Sequence, residues 1–123
     1  MPHNLDAARE RLSQGLPALV WQRYVADTLT PVGAALALME EGRGDFLLES
    51  VEGGEIRGRY SMLGLDPDLV LRADGESAEV NRHWRRNRDA FAPVQGDGLA
   101  ALRSLLGEIA MPTPEDLPPA LAL

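Results

Sequence analysis

The sequence predicts an α+β fold, a mainly antiparallel sheet with flanking helices. Three observations carry this expectation. Apolar residues recur at helical spacing near the start of the chain and again over 99–109. Between these stretches lie consecutive strand candidates whose connections are too short for a helical crossover, which favours antiparallel pairing over alternating βαβ units. No stretch repeats another, so a solenoid or propeller is not expected. The chain has 123 residues, 45% hydrophobic and 25% charged, enough for one ordinary globular core.

The first element, Asn4 to Gln14, reads as a short helix with Leu5, Ala8 and Leu12 on one face. Asn4 or Asp6 can cap it, and Gly15 stops it. Pro17 to Ala26 reads as a strand, because Val20, Trp21, Tyr24 and Val25 favour extended backbone. Thr30 caps a second helix, Pro31 suits its first turn, and Val32 to Glu41 continues it until Gly42 and Gly44.

Phe46 to Val51 reads as a buried strand bounded by glycines, and Gly58 to Leu65 as a second one. Asp66-Pro67 turns the chain. Leu69 to Arg72 and Ser77 to Val80 flank Ala73-Asp74-Gly75-Glu76, a hairpin signal. Asn81 to Asp89 is rich in arginine and has no clear period. Asp97 then caps a helix whose core positions are Leu99, Leu102, Leu105, Leu106 and Ile109. Four prolines come next, between Pro112 and Pro119, and the chain ends on Ala120-Leu121-Ala122-Leu123. This reading divides the chain into an N-terminal helix over 1–15, an α+β region over 16–111 and a proline-rich tail over 112–123.

Several function classes are disfavoured by composition. With no cysteine, disulfides, zinc-thiolate sites and cysteine nucleophiles are excluded. A net charge of −7 argues against nucleic acid as a partner. No apolar run approaches the roughly 18 residues of a membrane span, and the start lacks the pattern of a signal peptide. A cytoplasmic location is expected. His3 and His83 have no neighbours suited to metal binding or catalysis, so no cofactor or metal is expected in this segment. Arg82, Arg85, Arg86 and Arg88 surround Trp84, and this cluster reads either as an anion or RNA contact with an aromatic stacker, or as a solvated loop or ion-pairing face.

The strongest constellation is Phe46-Leu47-Leu48-Glu49-Ser50-Val51-Glu52-Gly53-Gly54-Glu55, then Gly58-Arg59-Tyr60-Ser61. An apolar strand leaves through an acid and a hydroxyl, and a polar-aromatic strand returns. Such an exit suits a free amino acid: the carboxylate takes the ammonium, a hydroxyl or backbone N–H takes the carboxylate, and apolar residues hold the side chain. A strand end with a solvated acid is the other reading. Alternation along a strand places Phe46, Leu48 and Ser50 on one face and Leu47, Glu49 and Val51 on the other. The first set is expected to line the ligand side.

These residues resemble a known family. Leu47-Leu48-Glu49-Ser50 is similar to the Leu-Leu-Glu-Ser element of anthranilate synthase component I, and Thr30-Pro31-Val32 resembles a helix start of that family. Gly58-Arg59-Tyr60-Ser61, Gly64-Leu65 and Asp66-Pro67 resemble the family's stretch just after that element, and Asp97 to Ile109 resembles its next helix. The resemblance runs from about Leu16 to Pro119 and is weakest over Arg82 to Phe91.

It implies an N-terminal regulatory segment that binds L-tryptophan, the pathway inhibitor, through Leu48, Glu49 and Ser50, with Tyr60 and Ser61 as further candidates. The full enzyme would convert chorismate plus ammonia, or glutamine through an amidotransferase subunit, to anthranilate and pyruvate with Mg2+. The chorismate and magnesium residues of that family lie in a C-terminal region, so this segment is expected to carry no catalytic residues and to be inactive alone. The fold implied is an incomplete part of the larger α+β sandwich of the chorismate enzymes. The apolar end looks like a cut before a later strand, and an open sheet edge there predicts self-association. The alternatives are the N-terminal segment of aminodeoxychorismate synthase component I, from the folate pathway, and a stand-alone small-ligand or protein-binding module.

Overall fold

A computed structural model describes residues 4–49, 60–113 and 117. The chain divides into two units, Met1–Thr28 with Ile109–Leu123, and Leu29–Glu108. Among the described residues the order is α1 (Leu5–Ser13), α2 (Pro31–Leu38), β1 (Phe46–Glu49), β2 (Ser61–Gly64), β3 (Val70–Asp74), β4 (Ser77–Asn81), β5 (Phe91–Val94) and α3 (Gly98–Ile109). The strands form two antiparallel sheets, β1-β2 and β3-β4-β5. The α+β class and the antiparallel pairing are therefore as the sequence predicts.

In the first unit, α1 buries Ala8 but leaves Leu12 exposed. Asn4 stands at the N-cap position without capping the helix. Its amide instead donates to the Leu19 carbonyl at 2.6 Å and accepts from the Trp21 N–H at 3.3 Å. The segment expected as a strand, Pro17 to Ala26, is not one. Its backbone is held by side chains: Asn4 takes Leu19 and Trp21, and the Arg11 Nε donates to the Pro17 carbonyl at 2.8 Å. A side chain that both donates and accepts stands in here for a paired strand.

The second unit starts on a cap that the sequence announces. Thr30 accepts the Gly33 N–H at 3.0 Å, and Pro31 occupies the first turn. The helix ends at Leu38, three residues earlier than expected, and Met39 turns into extended backbone. The reason is Asp45, which takes the Glu40 N–H at 2.9 Å, while the Arg43 Nη2 donates to the Leu38 carbonyl at 3.0 Å. These groups satisfy the helix end from outside the helix.

β3 and β4 form the expected hairpin, with Asp74 opposite Ser77 and Gly75 at φ +58° in the turn. β5 gives no strand signal in the sequence, because Pro93 interrupts it. It pairs only with β4, and an edge strand tolerates a proline. Alternation sorts this sheet into two faces. Ala78 and Val80 are buried together with Ala101 and Leu105 of α3. The opposite face carries Arg72 beside Glu79 at 2.7 Å and over the Phe91 ring at 3.9 Å.

α3 is capped as expected, the Asp97 carboxylate accepting the Ala100 N–H at 2.8 Å. Of its five expected core positions only Leu105 is buried, at 6% exposure, whereas Leu99, Leu102, Leu106 and Ile109 are exposed. The helix enters so close to β3 that a Cβ on Gly98 would lie 2.6 Å from the Ala73 Cβ. Gly98→Ala is therefore expected to destabilise by about 1–3 kcal/mol through overpacking. Urea denaturation checks this, and an unchanged midpoint would contradict the close approach.

Candidate functional site

β1 and β2 place the candidate residues. Their register sets Phe46 opposite Gly64, Leu47 opposite Leu63, Leu48 opposite Met62 and Glu49 opposite Ser61. Directly opposed residues share a face. Phe46, Leu48, Met62 and Gly64 thus lie on one side, and Leu47, Leu63, Glu49 and Ser61 on the other. The Phe46 ring lies over Gly64, where a Cβ would overlap it. Leu48, Glu49, Tyr60 and Ser61 are all exposed at one end of this strand pair. The structure therefore brings Glu49 and Ser61 side by side, sets Leu48 on the reverse face, and places Tyr60 just before β2. Ser50 and the stretch from Val51 to Arg59 lie outside the described residues.

The other end of the strand pair is closed by a knot that the sequence reading missed. The Asp45 side chain, directly before β1, has 0% exposure. Its carboxylate accepts from the Arg43 Nε at 2.8 and 2.9 Å, from the Glu40 N–H at 2.9 Å and from the Asp66 N–H at 2.8 Å. The Arg43 guanidinium, foremost by its hydrogen bonds, holds the Asp45 carboxyl well below the usual carboxylate range, although burial acts in the opposite direction. The two N–H donors and the arginine charge add to the depression. The signals for this knot were a lone tryptophan among arginines and an aspartate immediately before an apolar strand.

The arginine-rich stretch binds this knot. The Trp84 indole donates to the Arg43 carbonyl at 2.9 Å across 41 positions. Arg85 donates to the Asp66 carbonyl at 2.6 Å and pairs with its carboxylate at 3.3 Å. Arg88 lies 4.4 Å over the Trp84 ring, which meets Phe91 of β5 edge-on at 6.1 Å. Arg82 forms two hydrogen bonds of 2.9 Å with Glu108, which lower the Glu108 carboxyl pKa. Of the two sequence readings for this cluster, the ion-pairing face describes these contacts. The loop is folded by Asn81, fully buried, whose amide donates to the Asn87 carbonyl and accepts from the His83 N–H, both at 2.8 Å.

Over 108 residues, 88% of its length, the chain is 45% identical to anthranilate synthase component 1 of Cereibacter sphaeroides, of which it covers 22%. The chain belongs to the anthranilate synthase component 1 family. It is also 40% identical to the Synechocystis protein of that name over 113 residues, covering 91% of this chain and 21% of that one. For the Mycolicibacterium smegmatis protein of the same name the identity is 33% over 100 residues, 81% of this chain and 18% of that one. The chain thus spans about a fifth of the length of these anthranilate synthase component 1 relatives. No protein-family model matches it, and no solved structure does. Among the described residues, no helix is long and apolar enough to cross a membrane.

Proposed function

We propose that this chain is the N-terminal, tryptophan-sensing segment of an anthranilate synthase component 1. The observation that supports this most is the coincidence of the family relationship with the Leu48-Glu49 exit. A carboxylate and a hydroxyl stand opposite each other there, on exposed strand ends beside an aromatic residue. An amino acid has a cationic ammonium, an anionic carboxylate and a side chain. Leu48 lies on the reverse face from Glu49 and Ser61, so one ligand would meet both sets only around the end of the strand pair. There Glu49 would take the ammonium, Ser50 or Ser61 would supply a hydroxyl, and Leu48 and Tyr60 would contact the indole.

In this proposal the enzyme that contains the segment converts chorismate and ammonia, or glutamine through an amidotransferase subunit, to anthranilate and pyruvate. Magnesium would act in the chorismate-binding region of that enzyme. Among the described residues, no group of three or more His, Asp or Glu is placed to hold a metal ion.

The test is an assay of anthranilate fluorescence with the component 1 protein that carries this segment, with and without L-tryptophan. Dose-dependent inhibition by L-tryptophan is expected. Anthranilate formation that is indifferent to tryptophan would refute the sensing role.

A further inference from the structure

The knot at the base of β1 and β2 does more than close a turn. β1 begins one residue after Asp45, and β2 ends two residues before Asp66. The Asp45 carboxylate therefore fixes the entry of one strand against the exit of the other. Loop 82–88 grips this base from both sides. Trp84 holds the Arg43 carbonyl on the β1 side, and Arg85 holds the Asp66 carbonyl on the β2 side. Between them, Gly44 sits at φ +92°, a conformation that favours glycine, and a Cβ there would press on the Pro67 Cγ at 3.1 Å and touch the Trp84 Nε1 at 3.6 Å. Trp84 in turn rests on Arg88 and Phe91, so the three-stranded sheet is its foundation.

The candidate ligand residues lie at the far end of the same two strands. Four residues of strand span roughly 13 Å. A small tilt at the base is thus magnified at Leu48, Glu49 and Ser61, and a ligand site tolerates only about 0.5 Å of misplacement before affinity falls. A short, two-stranded ribbon has little stability of its own, so the two polar contacts from loop 82–88 add to α2 packing on β2 and to the Asp45 bridge in orienting it.

We propose that Trp84 and Arg85 are positioning residues for the β1-β2 ligand element, and that loop 82–88 thereby sets the tryptophan sensitivity of the enzyme. This rests on the tryptophan-sensing reading above. The two residues act through Arg43, Asp45 and Asp66, and they touch none of the candidate ligand residues.

The test compares variants of the component 1 protein that carries this segment. Trp84→Phe keeps a ring against Arg88 and Phe91 but removes the N–H that reaches Arg43. Arg85→Gln removes the grip on Asp66 and serves should the first variant fold poorly. Each is expected to raise the half-inhibitory tryptophan concentration about three- to tenfold, the scale of one lost hydrogen bond, with kcat and the KM for chorismate unchanged. Gly98→Ala, a destabilising substitution outside the knot, is the control and should leave the half-inhibitory concentration in place.

If Gly98→Ala shifts inhibition as much as Trp84→Phe does, general loosening explains the effect and the positioning role falls. It also falls if Ser50→Phe abolishes inhibition while Trp84→Phe and Arg85→Gln do not move it. If Ser50→Phe leaves inhibition intact, the tryptophan-sensing reading itself is wrong.

Discussion

Asp45→Ala is expected to lower the melting temperature of the chain by roughly 10 °C or more, a shift typical of losing a buried polar network in a domain of this size. The substitution removes one acceptor from three donors at once. The Arg43 guanidinium keeps Glu40 and the Leu38 carbonyl but loses Asp45, and the Glu40 and Asp66 N–H groups lose their acceptor. A donor left without its acceptor away from water is costly because water cannot fully replace the lost contact. Asp45→Asn keeps an acceptor but no charge and should fall between wild type and alanine.

The same carboxylate shapes the acid response. Its folded pKa is depressed, so its stabilising contribution is complete above the unfolded value of about 3.9 and is lost as pH falls below it towards the folded value. Stability of the wild-type chain should therefore drop steeply between about pH 4 and 2. Asp45→Asn should flatten that limb without abolishing it, since Glu108 is depressed in the same direction by Arg82. Thermal melts across this window check both expectations. An alanine variant that melts with wild type would contradict the knot.

Ser50→Phe should raise the tryptophan concentration needed for half-inhibition by more than about tenfold in the component 1 protein that carries this segment. A lost hydroxyl contact is worth only about 0.5–1.5 kcal/mol, at most roughly tenfold in affinity, and Ser50→Ala should stay within that limit. In the proposed site a phenyl ring would add steric exclusion of the ligand. Inhibition curves for wild type, Ser50→Ala and Ser50→Phe, each with its uninhibited rate measured alongside, separate the two effects. A Ser50→Phe curve that overlays wild type would remove this element from the ligand site.

The range of an interaction decides whether the sequence reveals it. The Thr30 and Asp97 caps and the Gly75 turn depend on neighbours within a few positions, and each stands where local chemistry puts it. The strand expected to be buried over Phe46 to Val51 is instead described over Phe46–Glu49 with Phe46 and Leu48 exposed, because its apolar run does not say what covers it. The features that escaped depend on distant partners. Pro17 to Ala26 has strand-forming residues, but Asn4 supplies its contacts and no ladder forms. β5 is hidden by Pro93, which only its edge position excuses. The early end of α2 needs Asp45 and Arg43 folded back on it.

The same holds at the site. The exposed end of β1 and β2 is marked by its own residues, whereas its support is assembled from Arg43, Asp45, Asp66, Trp84 and Arg85, drawn from three separate stretches. The arginine cluster has no period because its arginines serve different partners: Glu108, Asp66 and the Trp84 ring. Helix α3 shows the converse. Its apolar spacing is plain in the sequence, but of the five expected positions only Leu105 finds cover.

The most direct test of the central claim is calorimetric titration with L-tryptophan of the component 1 protein that carries this segment, with chorismate as the comparison ligand. The account predicts saturable binding of L-tryptophan at one site, weakened in Ser50→Phe, and chorismate binding that Ser50→Phe leaves in place. Tryptophan binding that is absent, or that Ser50→Phe leaves unchanged, would contradict it.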